Sequence, residues 1–342
     1  MKYLLLMIGF CLASTTAQAD PKWVIQAGHP SLQEWLLGEV PYPEDNKPNA
    51  AKIELGKMLF FDPRLSGDGN MTCATCHNPL FGWSDGLATA KGFKSKVLGR
   101  ASPTVINTAY NPLQMWDGRK KSLEDQATGP MLSGDEMNIN MADAVGFLQS
   151  SHGYVKAFNK AFPGETISDK TIAKAIASFE RTVISNDSPF DRWVKGDAKA
   201  MSAQQVEGFK LFVDPTKGNC EVCHSGPNFT DNGFHNIGLA SYGIKNPDVG
   251  RYAIKPIKSM QGAFKTPTLR DIAMTAPYFH DGSAKNLDEV VDHYAKGGEV
   301  KMHLSPNMKS LRLNAKEKQA IVAFLQALTT QMPPFTLPVL PQ

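Results

Sequence analysis

The chain has 342 residues, with 36 Lys and Arg against 33 Asp and Glu, for a formal charge of +3. That length holds two ordinary domain cores. A charge so near balance, with its basic residues scattered, excludes a nucleic-acid binder, and no apolar run is long enough to span a bilayer.

The first signal lies at the N-terminus. Met1-Lys2 is followed by the apolar run Tyr3 to Phe10, and Ala17-Gln18-Ala19 supplies small residues for cleavage. Residues 1–19 therefore read as a secretory signal peptide, and the mature protein is expected in the periplasm. Cys11 follows the bulky Phe10, which does not suit lipidation. Four cysteines remain, all within Cys73-Ala74-Thr75-Cys76-His77 and Cys220-Glu221-Val222-Cys223-His224. CxxCH is the attachment signature of c-type haem. Its two thiols add across the two vinyl groups of one porphyrin, and the adjacent imidazole becomes an axial iron ligand. Zinc pairs CxxC units over a short span, whereas these stand in separate halves of the chain. No thiol is left for a disulfide. Two covalently bound c-type haems follow, with His77 on the first iron and His224 on the second.

The periodic segments between and after the motifs read as helices. Ser168 caps a helix bearing Ile172, Ile176, Phe179 and Val183 on one face. Ser202 with Gln205 makes a capping box ahead of Val206, Phe209 and Phe212. Asn314 with Glu317 starts a similar stripe of Ile321, Phe324, Leu325 and Leu328. No run alternates with the period of a strand, so the fold is expected to be mainly α.

The two halves also repeat each other. Gly56-Lys57-Met58-Leu59-Phe60-Phe61-Asp62-Pro63 precedes the first motif, and Gly208-Phe209-Lys210-Leu211-Phe212-Val213-Asp214-Pro215 precedes the second. After the motifs, Ser102-Pro103-Thr104-Val105 matches Thr266-Pro267-Thr268-Leu269, and Asp117-Gly118 matches Asp281-Gly282, at a constant offset of 164 residues. An internal duplication into two tandem cytochrome c-like haem domains explains this. The expected domains are 20–195 and 196–342, with a boundary in the stretch from Asp187 to Ala200.

The same offset sets Tyr294 in the second half against Pro130 in the first. Leu287, Val290, Val291 and Tyr294 share one helical face, which points Tyr294 inward. A phenolate ligates ferric iron and proline cannot. The second haem is then capped and the first left open; the alternative is a buried aromatic and a loop proline. Acid-base chemistry beside an open iron needs a proton carrier. Glu136 is the candidate for proton transfer and Gln126 for orienting peroxide or water, with Asp135 also near; the alternative is a set of solvated loop residues. Trp116 corresponds to His280 in the repeat, and is either an electron relay between the haems or a packed core indole. Trp35, Trp193 and Met308 read as packing.

These motifs resemble the bacterial di-haem cytochrome c peroxidase family, which includes the MauG-type enzymes. The likeness runs from about Leu55 to Leu328. It rests on both CxxCH sites, Leu59-Phe60-Phe61-Asp62, Pro103-Thr104-Val105-Ile106-Asn107, Trp116-Asp117-Gly118-Arg119, Gly129-Pro130, Glu136-Met137, Thr266-Pro267-Thr268-Leu269-Arg270 and Tyr278-Phe279-His280-Asp281-Gly282. The resemblance implies a peroxidatic N-terminal haem and an electron-transfer C-terminal haem. It assigns Glu136 and Gln126 to the distal pocket and Trp116 to the position between the haems. It also implies a calcium ion held by the carbonyls of Thr275 and Pro277, although Ala101 stands where an Asn side chain is usual. Two departures point to the MauG branch. Phe93 replaces the His that blocks the peroxidatic iron in most members, and Tyr294 replaces a Met ligand, with Met302 and His293 as spare candidates.

Three functions compete. The leading one is a periplasmic peroxidase that reduces hydrogen peroxide with electrons from a small cytochrome c or cupredoxin. The second is a MauG-like enzyme that uses peroxide to oxidise residues of a protein partner. Members that mature a tryptophan-derived quinone carry Trp two residues before the second CxxCH, where this chain has Gly218. The third is a plain di-haem electron carrier, against which Phe93 and Pro130 argue because neither can ligate. Family members are often dimers, so a homodimer is expected.

Overall fold

The structure, a computed structural model, describes residues 22–342. The signal-peptide reading for residues 1–19 lies outside the described residues. The first half contains α1 (Ala50–Phe60), α2 (Cys73–Cys76), α3 (Leu123–Ala127), α4 (Gly129–Leu132), α5 (Met141–Ser150), α6 (His152–Ala161) and α7 (Asp169–Glu180). Then come α8 (Pro189–Val194), α9 (Ala203–Val213), α10 (Leu287–Lys296) and α11 (Ala315–Gln326). Two-residue strands, β1 (Phe234–His235) and β2 (Phe264–Lys265), form a small antiparallel pair. The fold is mainly helical, as the sequence implies.

The helices start where side-chain caps dictate. Ser168, Ser202 and Asn314 each accept a hydrogen bond from the third helical residue, and each has its box partner in place. That satisfies amide hydrogens the first turn would otherwise leave unpaired. The stripe expected to reach Val183 ends as helix at Glu180, but Val183 is still buried in the first core.

Each half is built on one helix crossing. α1 packs on α7 and α9 packs on α11, and both crossings are made at a glycine. A Cβ on Gly56 would sit 1.8 Å from the Ala175 carbonyl oxygen, and one on Gly208 would sit 1.9 Å from that of Ala320. Only a residue without a side chain allows the backbones so close. Around the first crossing pack Leu55, Leu59, Phe60, Ile172, Ile176 and Phe179; around the second pack Phe209, Phe212, Ile321, Phe324 and Leu325.

The chain ends exchange partners between the halves. Trp23, Leu32 and Trp35 lie in the second core, together with Phe190 and Trp193 of α8. Phe335 of the C-terminal segment stacks on Phe61 and meets the edge of Trp83 in the first. Arg64 donates to the Pro341 carbonyl at 2.8 Å, and Ser151 to that of Gln342 at 2.9 Å. A fully buried pair, Arg270 and Asp191, ties the N-terminal segment down, because Arg270 also donates to the Trp35 carbonyl at 3.0 Å.

The crossing makes a prediction. Gly56→Ala is expected to lose about 3 kcal/mol of stability by overpacking. Gly146→Ala on α5, where an added Cβ meets nothing within 4 Å, is expected to gain about 0.5 kcal/mol. Urea unfolding of the two variants, followed by circular dichroism, measures both.

Candidate haem-binding sites

Each CxxCH opens a short turn that hands its His to a backbone carbonyl. The Nδ1 of His77 lies 3.3 Å from the Trp83 carbonyl, and that of His224 lies 3.0 Å from the Phe229 carbonyl. A carbonyl only accepts, so Nδ1 carries the proton in both rings. Each Nε2 then keeps its lone pair for a metal. The carbonyls are aimed by residues in the left-handed region, Trp83 at φ 59° and Phe229 at φ 50°. Bulky residues there cost on the order of 1 kcal/mol, a strain typical of functional positions. Burial pushes His77 down and His224 down to about 4, so both are neutral at pH 7. The cysteines are unpaired. Burial holds the Cys76 thiol up at about 11 and that of Cys220 at about 12, so both remain protonated.

The framework beside each motif repeats at the level of single bonds. Ser84 donates to the Ser102 carbonyl at 2.8 Å, and Thr230 to that of Thr266 at 2.7 Å. Asn107 and Asp271 are both left-handed, at φ 58° and 55°, as are Met115 and Phe279, at 72° and 71°. These four positions keep the 164-residue offset read from the sequence.

The second site is a cavity of about 250 Å³ whose walls include Cys220, Cys223, His224, Val290, Val291 and Tyr294. The inward face expected of α10 is therefore present, and Tyr294 shares the cavity with the second motif. Burial drives its phenol well above the ordinary range. Met302 is 53% exposed and not on the cavity wall, while His293 is bound through Nε2 to the Ile237 carbonyl at 2.9 Å. Met308, read from sequence as packing, does line the cavity. So do His235 and Lys265, which the sequence reading passed over. His235 is raised to about 10, first by its bond to Asp231 and then by the nearby Cys223, and burial lowers Lys265 to about 8. A large apolar-walled cavity with a neutral imidazole, two thiols and cationic groups suits a porphyrin with its propionates. Cys223, Asp231 and His235 also cluster in the manner of metal ligands, but the Cys223 sulfur belongs to the attachment motif.

At the first site the structure brings together Pro130, Glu136 and the loop bearing Phe93. Pro130 is the second residue of α4, and its carbonyl accepts from the Met137 amide at 3.0 Å. The Phe93 amide donates to the Asp135 carbonyl at 3.0 Å, and Gly92 touches that same carbonyl so closely that a Cβ would stand 1.9 Å from it. Glu136 is half-buried. Desolvation raises its carboxyl above the usual range, against the pull of Arg119. Its charge reaches Cys76, which sets it beside the first motif. Gln126 lies on α3, one turn before Pro130.

Trp116 sits between the halves. Its indole donates to the Ala101 carbonyl at 2.9 Å, and its ring lies 6.4 Å from that of His280. His280 in turn stacks on Phe264 at 3.5 Å. Thr275 and Pro277 line the second cavity with Ala101, whose methyl group supplies no oxygen and whose carbonyl is taken by Trp116.

Two repeated helical units, each presenting a neutral His and a pair of thiols, define a di-haem c-type cytochrome with unequal sites. Residues 50–199 match the family model described as di-haem cytochrome c peroxidase. The chain is 45% identical to the methylamine utilization protein MauG of Methylorubrum extorquens, over 88% of its own length and 85% of that protein. It is 39% identical to the cytochrome c551 peroxidase of Nitrosomonas europaea, over 86% and 84% respectively. Among solved structures it resembles a MauG-like protein associated with microbial copper homeostasis, at TM-score 0.82 and 30% identity, with 86% of this chain and 94% of that one covered. The chain belongs to the di-haem cytochrome c peroxidase family, in its MauG-like branch, and is a peroxidase-type oxidoreductase carrying two c-type haems. Among the described residues no helix is long and apolar enough to cross a membrane.

Replacing Cys220 and Cys223 together by Ala is expected to leave one covalent haem on the chain, counted by intact-mass spectrometry. Loss of both would mean that the second motif is needed for loading the first.

Proposed function

We propose that this protein is a periplasmic peroxidase that reduces hydrogen peroxide at the N-terminal haem with electrons from a small redox protein. When bound, the two haems supply one-electron redox iron at each site. The single observation behind the reading is Tyr294 in the cavity of the second motif, where the 164-residue offset gives the first half Pro130. Neither Pro130 nor Phe93 has an atom that ligates iron, so the first site stays open to peroxide without prior reduction. Tyr294 would hold the second iron through its phenol oxygen, giving up its proton to do so, and as a hard anionic donor it would favour the ferric state. Glu136 accepts a proton from peroxide at its carboxylate and returns it to the departing oxygen, which its desolvated position suits. Gln126 orients the peroxide, and Trp116 carries electrons between the sites. The carbonyls of Thr275 and Pro277 would hold a calcium ion between the halves, without a side-chain oxygen from Ala101. Two copies associate as a homodimer.

The second reading, oxidation of a protein partner, is favoured by the 45% identity to MauG. Against the quinone-forming version, a Cβ at Gly218 would stand 2.4 Å from the Leu211 carbonyl, so this backbone leaves no room for an indole.

Mixing the diferric holoprotein with one equivalent of peroxide in a stopped flow tests the proposal. A spectral change without prior reduction is expected, and silence until an electron is added would sink the open-site reading. Ferrous cytochrome c should then be oxidised catalytically; turnover only with a protein substrate would favour the second reading.

Glu136→Gln is expected to slow the peroxide step by about 100-fold. The carboxyl must be ionised to accept a proton, and its folded value lies above the ordinary 4.5. The native rate should therefore fall as pH drops through that raised value, and the variant should lose this limb. Tyr294→Phe is expected to change the electron paramagnetic resonance signal of the second haem alone. An unchanged signal would pass the ligand role to Met308.

A further inference from the structure

The two helix crossings align residue on residue, and at one cavity-facing position an acid stands where the sister helix has leucine. Gly56 lies under Ala175 and Phe179, and Gly208 under Ala320 and Phe324, so α7 and α11 align at an offset of 145 residues. The backbone agrees beyond the helices: the Asn107 amide donates to the Val183 carbonyl, and the matching Asp271 amide to that of Leu328, both at 3.0 Å. This alignment pairs Ile176 with Ile321 and Glu180 with Leu325. Ile321 and Leu325 line the second cavity beside Cys220. Glu180 therefore holds the matching place in the first site, beside Cys73, whose thiol it helps burial to raise.

Glu180 is 5% exposed, and its Oε2 has no hydrogen-bond partner among the described residues. Packing alone does not call for an acid where the sister domain uses leucine, since a buried unpaired carboxyl costs stability. The charges around it are committed elsewhere. Arg181 is paired with Glu124 at 2.6 Å. On α1, Lys52 donates to the Lys47 carbonyl, Lys57 lies over Phe335 and Glu54 is exposed. On α3, Asp125 is held by Lys120.

We propose that Glu180 is a proton-accepting positioning residue of the first haem site, taking one proton from solvent as one electron reaches the first iron and releasing it on reoxidation. The electron comes from the donor protein, or from a chemical reductant in vitro. Ferric haem carries one more positive charge than ferrous haem, which favours the carboxylate; reduction removes that charge, and burial then favours the acid. Burial already lifts Glu180 to about 8, with Arg181 opposing and Glu124 adding. The effect is to make the first haem harder to reduce as pH rises and to hold it ferric. The inference rests on haem attachment at the first motif and not on peroxide chemistry there.

The test is a redox titration of the native holoprotein and of Glu180→Gln, Glu180→Leu and Glu180→Asp, from about pH 6 to about pH 10. Electron paramagnetic resonance reads each haem separately. In the native protein the reduction equilibrium of the first haem should fall by up to about tenfold per pH unit across part of that range. The Gln and Leu variants should lose this dependence and Asp should keep it, while the second haem is unchanged in all. Reduced-minus-oxidised infrared spectra should show a protonated carboxyl band in the native protein and none in Glu180→Gln. A flat native profile, or an equal slope in Glu180→Gln, would overturn the proposal. Gln keeps the shape of Glu and Leu is the residue of the sister domain, so a folding failure in one leaves the other as the test. No peroxide is used, so failure of the peroxidase reading would leave this result standing.

Discussion

The molecule depends on two close helix crossings, each made where a glycine lets a backbone carbonyl of the partner helix come within what would be bonding distance of a Cβ. Such contacts have almost no play, because any side chain at Gly56 or Gly208 must push the helices apart. The crossing fixes which residues of α7 and α11 face the haem side and at what height. Differences between the halves can therefore be read one position at a time. Where the second site has Leu325, the first has Glu180. Where the second has Tyr294, the first has Pro130.

Around these crossings the backbone does chemical work that side-chain identity conceals. Trp83 and Phe229 are bulky residues held in the left-handed region, a conformation each would avoid if free. Their carbonyls fix the tautomer of His77 and His224, and that decides which nitrogen meets the iron. The side chains are themselves held in place. Phe229 packs among Trp35, Phe190 and Phe324, and Trp83 meets Phe60, Phe179 and Phe335. Both clusters draw on a distant chain end, Trp35 in one and Phe335 in the other. The exchange of termini between the halves thus supports the imidazoles as well as the cores.

This explains what the sequence disclosed and what it withheld. The CxxCH motifs and the caps at Ser168, Ser202 and Asn314 are local patterns, the 164-residue offset joins two short matching segments, and each survives in the fold. The inward face of α10 was legible because helical spacing alone determines it. The carbonyl partners of the two His residues were not, since nothing in Trp or Phe announces a positive φ. Packing of Trp23 and Trp35 in the second core, and of Phe335 in the first, involves contacts across most of the chain length, which no periodicity encodes. Glu180 escaped because the offset between the halves is 164 residues after the motifs but 145 at the final helices. Loops of unequal length hide the equivalence until the glycine crossings reveal it.

The contact between the halves carries the remaining burden, since in the function proposed here electrons exchanged by the two sites cross it. Trp116 and His280 occupy equivalent positions and face each other there. Arg100 joins Asp117 of the first half to Asp248 of the second, at 2.7 and 2.6 Å. Arg251 reaches from the second half to the carbonyls of Asp117 and Gly118, both at 2.8 Å. Desolvation offsets much of the attraction in such half-buried ion pairs, so they add little net stability. What they impose is orientation, because a bidentate guanidinium tolerates only one arrangement of its acceptors. Trp116, flanked by Asp117, is thereby oriented toward His280, ring to ring at 6.4 Å. A frame of that kind lets the two haem environments diverge, by Pro for Tyr or Glu for Leu, without disturbing the contact that joins the halves.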